Sequence, residues 1–129
     1  MYGNQRQLDK INIYAKLDIV KAIKIFSEKL IFKTSQSGEV FRVSVIREIF
    51  KIPDEQAHAF PDGHKVSMIA FRDDDPEKRV LLDCHPPKGP HYHIGDVESS
   101  FEWAGLKSAD DLFWKLVEAE FGKLEEVLE

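Results

Sequence analysis

From residue 83 to residue 93 the chain reads Asp83-Cys84-His85-Pro86-Pro87-Lys88-Gly89-Pro90-His91-Tyr92-His93, which gathers three of its five histidines beside a lysine and an aspartate. His91 and His93 stand two residues apart. In an extended backbone that spacing sends both imidazoles to one face, because strand side chains repeat every second residue. Imidazole gives and takes protons near neutrality, so the pair suits metal-independent cleavage of RNA. One ring removes the proton from a ribose 2′-hydroxyl and the other protonates the leaving 5′-oxygen. Lys88 then stabilises charge on the phosphorane-like transition state. Asp83 is a candidate to orient one ring through its Nδ1–H, and Gly89 lets a phosphate approach the backbone. The catalytic candidates are therefore His91, His93, Lys88 and Asp83, with Lys88 and Gly89 as the phosphate-binding pair. This chemistry calls for no cofactor.

The same spacing also suits a metal ion. His85, His91 and His93 form the alternative ligand set, with Asp83 or Asp96 as a fourth group, since zinc takes three or four such donors. If both are extended, Cys84 points away from His85, and His58 and His64 lie in a separate loop. Cys84 reads as a small buried hydrophobe, and Asp73-Asp74-Asp75 as a solvated turn. Trp103 and Trp114 read as packing residues.

These residues need a scaffold. A chain of 129 residues, 43% hydrophobic and 32% charged, has material for one domain with a core and a wet surface. Its single cysteine excludes an internal disulfide and fits a reducing, cytoplasmic setting. No apolar run approaches the roughly 18 residues of a membrane helix, and Met1 to Gln7 lacks an apolar signal core. Net charge is −5, but residues 1–53 are net basic and the remainder strongly acidic, a bias that can mark a basic face for nucleic acid.

Residues 1–18 read as a polar N-terminal extension and 19–129 as a single α+β domain. Ile19 to Phe50 reads as three strands, interrupted at Ser27-Glu28-Lys29 and turning at Ser35 to Gly38; a helix within 10–26 stays open. Pro53 to Gly63 is a loop. Lys65–Arg72 and Arg79–Cys84 form a hairpin around the Asp-rich turn. The end of the chain reads as an amphipathic helix starting in a capping box of Ser108 and Asp111. Its apolar stripe runs through Phe113, Leu116, Val117, Leu124, Val127 and Leu128. The expected architecture is an antiparallel β-meander of about five strands with this C-terminal helix packed on one face.

That order of features, with Asp83 a few residues before Lys88-Gly89-Pro90-His91-Tyr92-His93, resembles the TumE-type family of small prokaryotic proteins over roughly residues 20–127. Family members commonly carry Asn where this chain has Cys84 and an acidic residue where it has Pro90. The resemblance implies the toxin component of a toxin–antitoxin pair, with a helix-turn-helix antitoxin as partner, RNA as target and no membrane. A non-catalytic interaction module, pairing its N-terminal strands with a partner chain, is the rival from another class. A metal-binding regulatory domain is a third.

Overall fold

The computed structural model describes residues 22–127; the N-terminal extension assigned to residues 1–18 lies outside them, as does the alternative helix of 10–26 up to residue 21, while residues 23–26 are strand and not helix. Seven strands form one antiparallel sheet: β1 (Ile23–Gln36), β2 (Glu39–Lys51), β3 (His64–Arg72), β4 (Asp75–His85), β5 (Gly89–Ile94), β6 (Val97–Ser100) and β7 (Glu125–Glu126). A single α-helix among the described residues, α1 (Leu106–Phe121), follows β6. The strand order is β6-β5-β4-β3-β2-β1-β7. The first six strands are therefore a plain meander. The helix then carries the chain from one edge of the sheet to the other, where β7 joins β1. The fold is the expected α+β meander with a C-terminal helix, with two more strands than expected.

The expected interruption at Ser27-Glu28-Lys29 does not occur, and β1 runs through it as one strand paired with β2. Alternation explains why: Ser27 and Lys29 reach solvent, while Glu28 is held by the Arg47 guanidinium, which also pairs with Asp110 on the helix. The β1–β2 turn sits at Ser37-Gly38, both with positive φ (54° and 80°), a conformation that glycine adopts freely and that suits a two-residue hairpin. The segment from Pro53 to Gly63 is a loop with two short 3₁₀ turns, as its composition suggests.

The helix departs from the sequence reading at both ends. Its N-cap is Gly105 rather than Ser108, no side chain caps it, and Ser108 is exposed inside the first turn. It stops at Phe121, where Gly122 (φ 86°) turns the chain and Thr34 Oγ1 donates to the carbonyls of Phe121 (3.1 Å) and Lys123 (2.8 Å). Leu124 and Val127 therefore lie beyond the helix, and Leu128 lies outside the described residues. Glu125-Glu126 become a strand because the outer edge of β1 offers backbone partners at Phe32 and Lys33.

Apolar packing fixes which sheet face is covered. Ala109, Phe113, Val117 and Phe121 recur every four residues and are buried against Val43, Val45, Val66, Met68, Ala70, Val80, Leu82 and Cys84. Leu116 and Leu124 are only half-buried at the margin of this core. No helix of the described residues is long and apolar enough to cross a membrane.

Candidate functional site

Directly opposed residues of an antiparallel sheet share a face, so the register determines what stands beside the histidines. Leu82 faces the helix, opposite Met68 and Tyr92. The residues on either side of it therefore face the other way, onto the surface that α1 leaves uncovered. Across that second face run two rows. One is Glu48, Ser67, Asp83, His91 and Ser100; the next is Ile46, Ile69, Leu81, His93 and Glu98. Asp83 and His91 are thus cross-strand partners. His85, two residues after Asp83, extends the same face, as does Lys65, two before Ser67.

The three imidazoles form a chain of edge-on contacts, with ring centroids 5.5 Å apart for His85 and His91 and 5.3 Å for His91 and His93. His91 is 3% exposed and its Nδ1 lies 2.8 Å from the Gly89 carbonyl oxygen. A carbonyl can only accept, so Nδ1 carries a proton, and in the neutral tautomer this fixes the lone pair on Nε2. Gly89 thus holds an imidazole through its carbonyl; its φ of 73° is the left-handed backbone that lets β5 begin there.

His85 is fixed in the same manner, with Nδ1 2.9 Å from the Pro86 carbonyl oxygen and Nε2 3.2 Å from Asp83 Oδ2. Both neighbours are acceptors, so the ring matches both only when a cation lies between Nε2 and the carboxylate. In the protein alone that cation is a proton. Asp83 accordingly raises the proton affinity of His85, against the opposing effect of burial. Asp83 itself is 1% exposed, and neither of its oxygens accepts a hydrogen bond. Asp83 therefore meets His85 at Nε2 and not, as expected, through an Nδ1–H, because backbone carbonyls hold Nδ1 of both His85 and His91.

His93 belongs to a second group. Its Nε2 lies 3.2 Å from Glu98 Oε1, which also accepts from Lys88 Nζ at 2.6 Å. Burial lowers the proton affinity of His93; Glu98 opposes this, while His91, Arg79 and Lys88 add to it. The Lys88 ammonium holds the Glu98 carboxyl below its usual range. Lys88 is exposed and ion-paired rather than free to meet an anion.

Two sets of ligating atoms fall within 4.8 Å of one another: Asp83, His85 and His91, and His91, His93 and Glu98. The alternative ligand set of His85, His91 and His93 is therefore divided between two corners that share His91. Asp96 joins neither set among the described residues. Glu98 and Lys65 are the members of this face that the sequence reading missed. Gly95-Asp96 is a two-residue turn signal, and counting back from it pairs His93 with Glu98. Lys65 is buried, which pushes its ammonium below the usual lysine value, with Asp83 and Glu48 countering. Cys84, on the opposite face from His85 as expected, is fully buried, and burial pushes its thiol up to about 12.

No family model, no curated protein and no solved structure matches the sequence.

Proposed function

We propose that this chain is the toxin half of a toxin–antitoxin pair and that it cleaves RNA on the histidine face of its sheet. The observation that carries this reading is the edge-on contact of His91 and His93 at 5.3 Å, with Lys88 on the same rim. In the reaction His93, the ring beside the exposed Glu98, takes the ribose 2′-hydroxyl proton. The 2′-oxygen bonds to phosphorus, the bond to the 5′-oxygen breaks, and that oxygen leaves with a proton from Nε2 of His91 in its imidazolium form. A 2′,3′-cyclic phosphate and a 5′-hydroxyl remain. Lys88 exchanges Glu98 for a phosphate oxygen and stabilises the developing charge. A helix-turn-helix antitoxin is the partner this reading calls for.

Induced expression of wild type beside His93→Ala and Lys88→Ala, with growth and total RNA integrity as readouts, tests it. Wild type should arrest growth and fragment RNA. His93→Ala should lose cleavage by on the order of 100-fold or more, the contribution of one general acid–base group. Unimpaired growth and intact RNA with folded wild type would refute it.

A second reading has its own observation. Ile23 and Ile25 are 64% and 51% exposed at the start of β1, and β7 pairs only with Phe32 and Lys33 of that strand. An unpaired apolar edge among the described residues suits addition of a partner strand. A chain that binds its partner but cleaves nothing would leave this interaction-module reading standing.

A further inference from the structure

Of everything on this face, the least expected side chain is Asp83. A carboxylate is among the groups most rarely buried, and one that is buried is ordinarily paired and hydrogen-bonded. Asp83 is 1% exposed; it faces His85 Nε2 at 3.2 Å, yet neither oxygen accepts a hydrogen bond. Two imidazoles converge on it, His85 from two residues along β4 and His91 from directly across on β5. Both have Nδ1 tied to a backbone carbonyl, of Pro86 and of Gly89. That arrangement fixes the tautomer in metalloproteins, because it leaves the Nε2 lone pair for a metal.

We propose that Asp83, His85 and His91 form a binding site for a divalent transition-metal ion of the zinc type. The donor set is two neutral imidazoles and one carboxylate, which suits a borderline cation rather than calcium or magnesium. Ligands about 2.1 Å from a tetrahedral zinc stand roughly 3.4 Å apart. The ligating atoms here already lie within 4.8 Å of one another on adjacent strands of one sheet. Side-chain rotation is the movement that would have to close that difference. The ion would supply the cation that the His85–Asp83 contact requires and give the Asp83 oxygens a ligand in place of the hydrogen bonds they lack. Three protein ligands leave a coordination position open, as in catalytic rather than structural zinc sites.

The inference stands apart from RNA cleavage, because it rests on a buried carboxylate that accepts no hydrogen bond, on the two imidazoles beside it and on ring orientation. Its consequence for that reading is direct: an ion on His91 withdraws the proton that the cleavage step needs, so metal-loaded and acid–base forms exclude each other.

The test is titration of the chelator-treated full chain with zinc chloride by calorimetry and with cobalt chloride by visible absorption. One equivalent should bind, cobalt should give the visible bands of a low-coordinate site, and the melting temperature should rise with zinc concentration. Asp83→Asn and His85→Gln should each weaken binding by more than the roughly 10–100-fold expected for losing a supporting contact. His58→Gln, on the exposed 3₁₀ turn, should leave it unchanged. Circular dichroism of each variant separates lost binding from lost folding, and His85, at the end of its strand, is the variant expected to fold. Absence of saturable binding to folded wild type would overturn the proposal. So would full binding by folded Asp83→Asn and His85→Gln. Binding without any RNA cleavage leaves this site intact and refutes only the catalytic reading.

Discussion

Replacing Leu82 by alanine tests whether the histidine face depends on the core directly behind it. Leu82 is fully buried on β4, between Leu81 and Asp83, and packs against the helix beside Met68 and Tyr92. Removing three carbons forfeits about 2.4 kcal/mol at roughly 0.8 kcal/mol for each buried methylene. A cavity penalty adds to this, because β4 is hydrogen-bonded on both sides by β3 and β5 and cannot move in to fill the space. If about 50 Å³ persists, at roughly 24 cal/mol per Å³, the penalty is about 1.2 kcal/mol. The total is about 3.5 kcal/mol, within the range known for buried Leu→Ala changes. For a chain of this size that corresponds to a fall in Tm of roughly 14 °C. Urea denaturation followed by Trp103 and Trp114 fluorescence should show the loss as a lower midpoint with an unchanged slope. Below the transition, the histidine resonances should titrate as in wild type, since the side chain lies on the other face from Asp83. A loss under about 1 kcal/mol would refute the reasoning, by showing that the helix does not hold this core closed. Altered histidine titration in a fully stable variant would show that the two faces are not separable as described.

Three further outcomes are expected. In metal-free protein, Asp83 raises the proton affinity of His85 on folding. The resulting stabilisation should be fully present below the unfolded value near 6.5 and lost as pH rises through the higher folded value; midpoints measured from pH 5 to 9 should show that decline, and Asp83→Asn should flatten it. Cys84, with its thiol pushed up to about 12, should resist alkylation at pH 8 in the native protein and react at once in urea, which timed mass spectrometry can follow. Thr34→Val removes the hydroxyl that donates at the end of α1 and should cost about 1–2 kcal/mol; amide exchange should then accelerate first in residues 122–127.

The parts of the fold legible from sequence were those governed by local periodicity. Val66, Met68 and Ala70 alternate cleanly on one face of β3, and the Asp-rich turn after them can only be wet, so the β3–β4 hairpin follows. The spacing of His91 and His93 likewise places them on one face without knowledge of any neighbour. Features that depend on a distant partner were not legible. Glu28 interrupts β1 on paper because its neutralising Arg47 lies on another strand. Glu125-Glu126 has no strand propensity and is a strand only because the edge of β1 awaits it. Ser108 resembles a cap, yet Gly105 already turns the chain before it. The same divide runs through the site. Asp83 and His85 are near neighbours in sequence and could be paired by reading. Lys65 and Glu98 join only through the cross-strand register.

The return of β7 to β1 also dictates when the domain can be completed. Among the described residues every other strand pairs with its neighbour in sequence, whereas Glu126 meets Phe32 only after the helix has crossed the sheet. During synthesis the β1–β6 meander emerges and can zip up hairpin by hairpin, while α1 and β7 still lie within or near the ribosome. Through that interval Phe41, Val43 and Val45 have no cover, so the nascent sheet presents an apolar face until α1 has emerged and packed. A partner that reads this uncovered face would recognise newborn chains only, and a ribosome stalled before Phe121 would hold the molecule in that state.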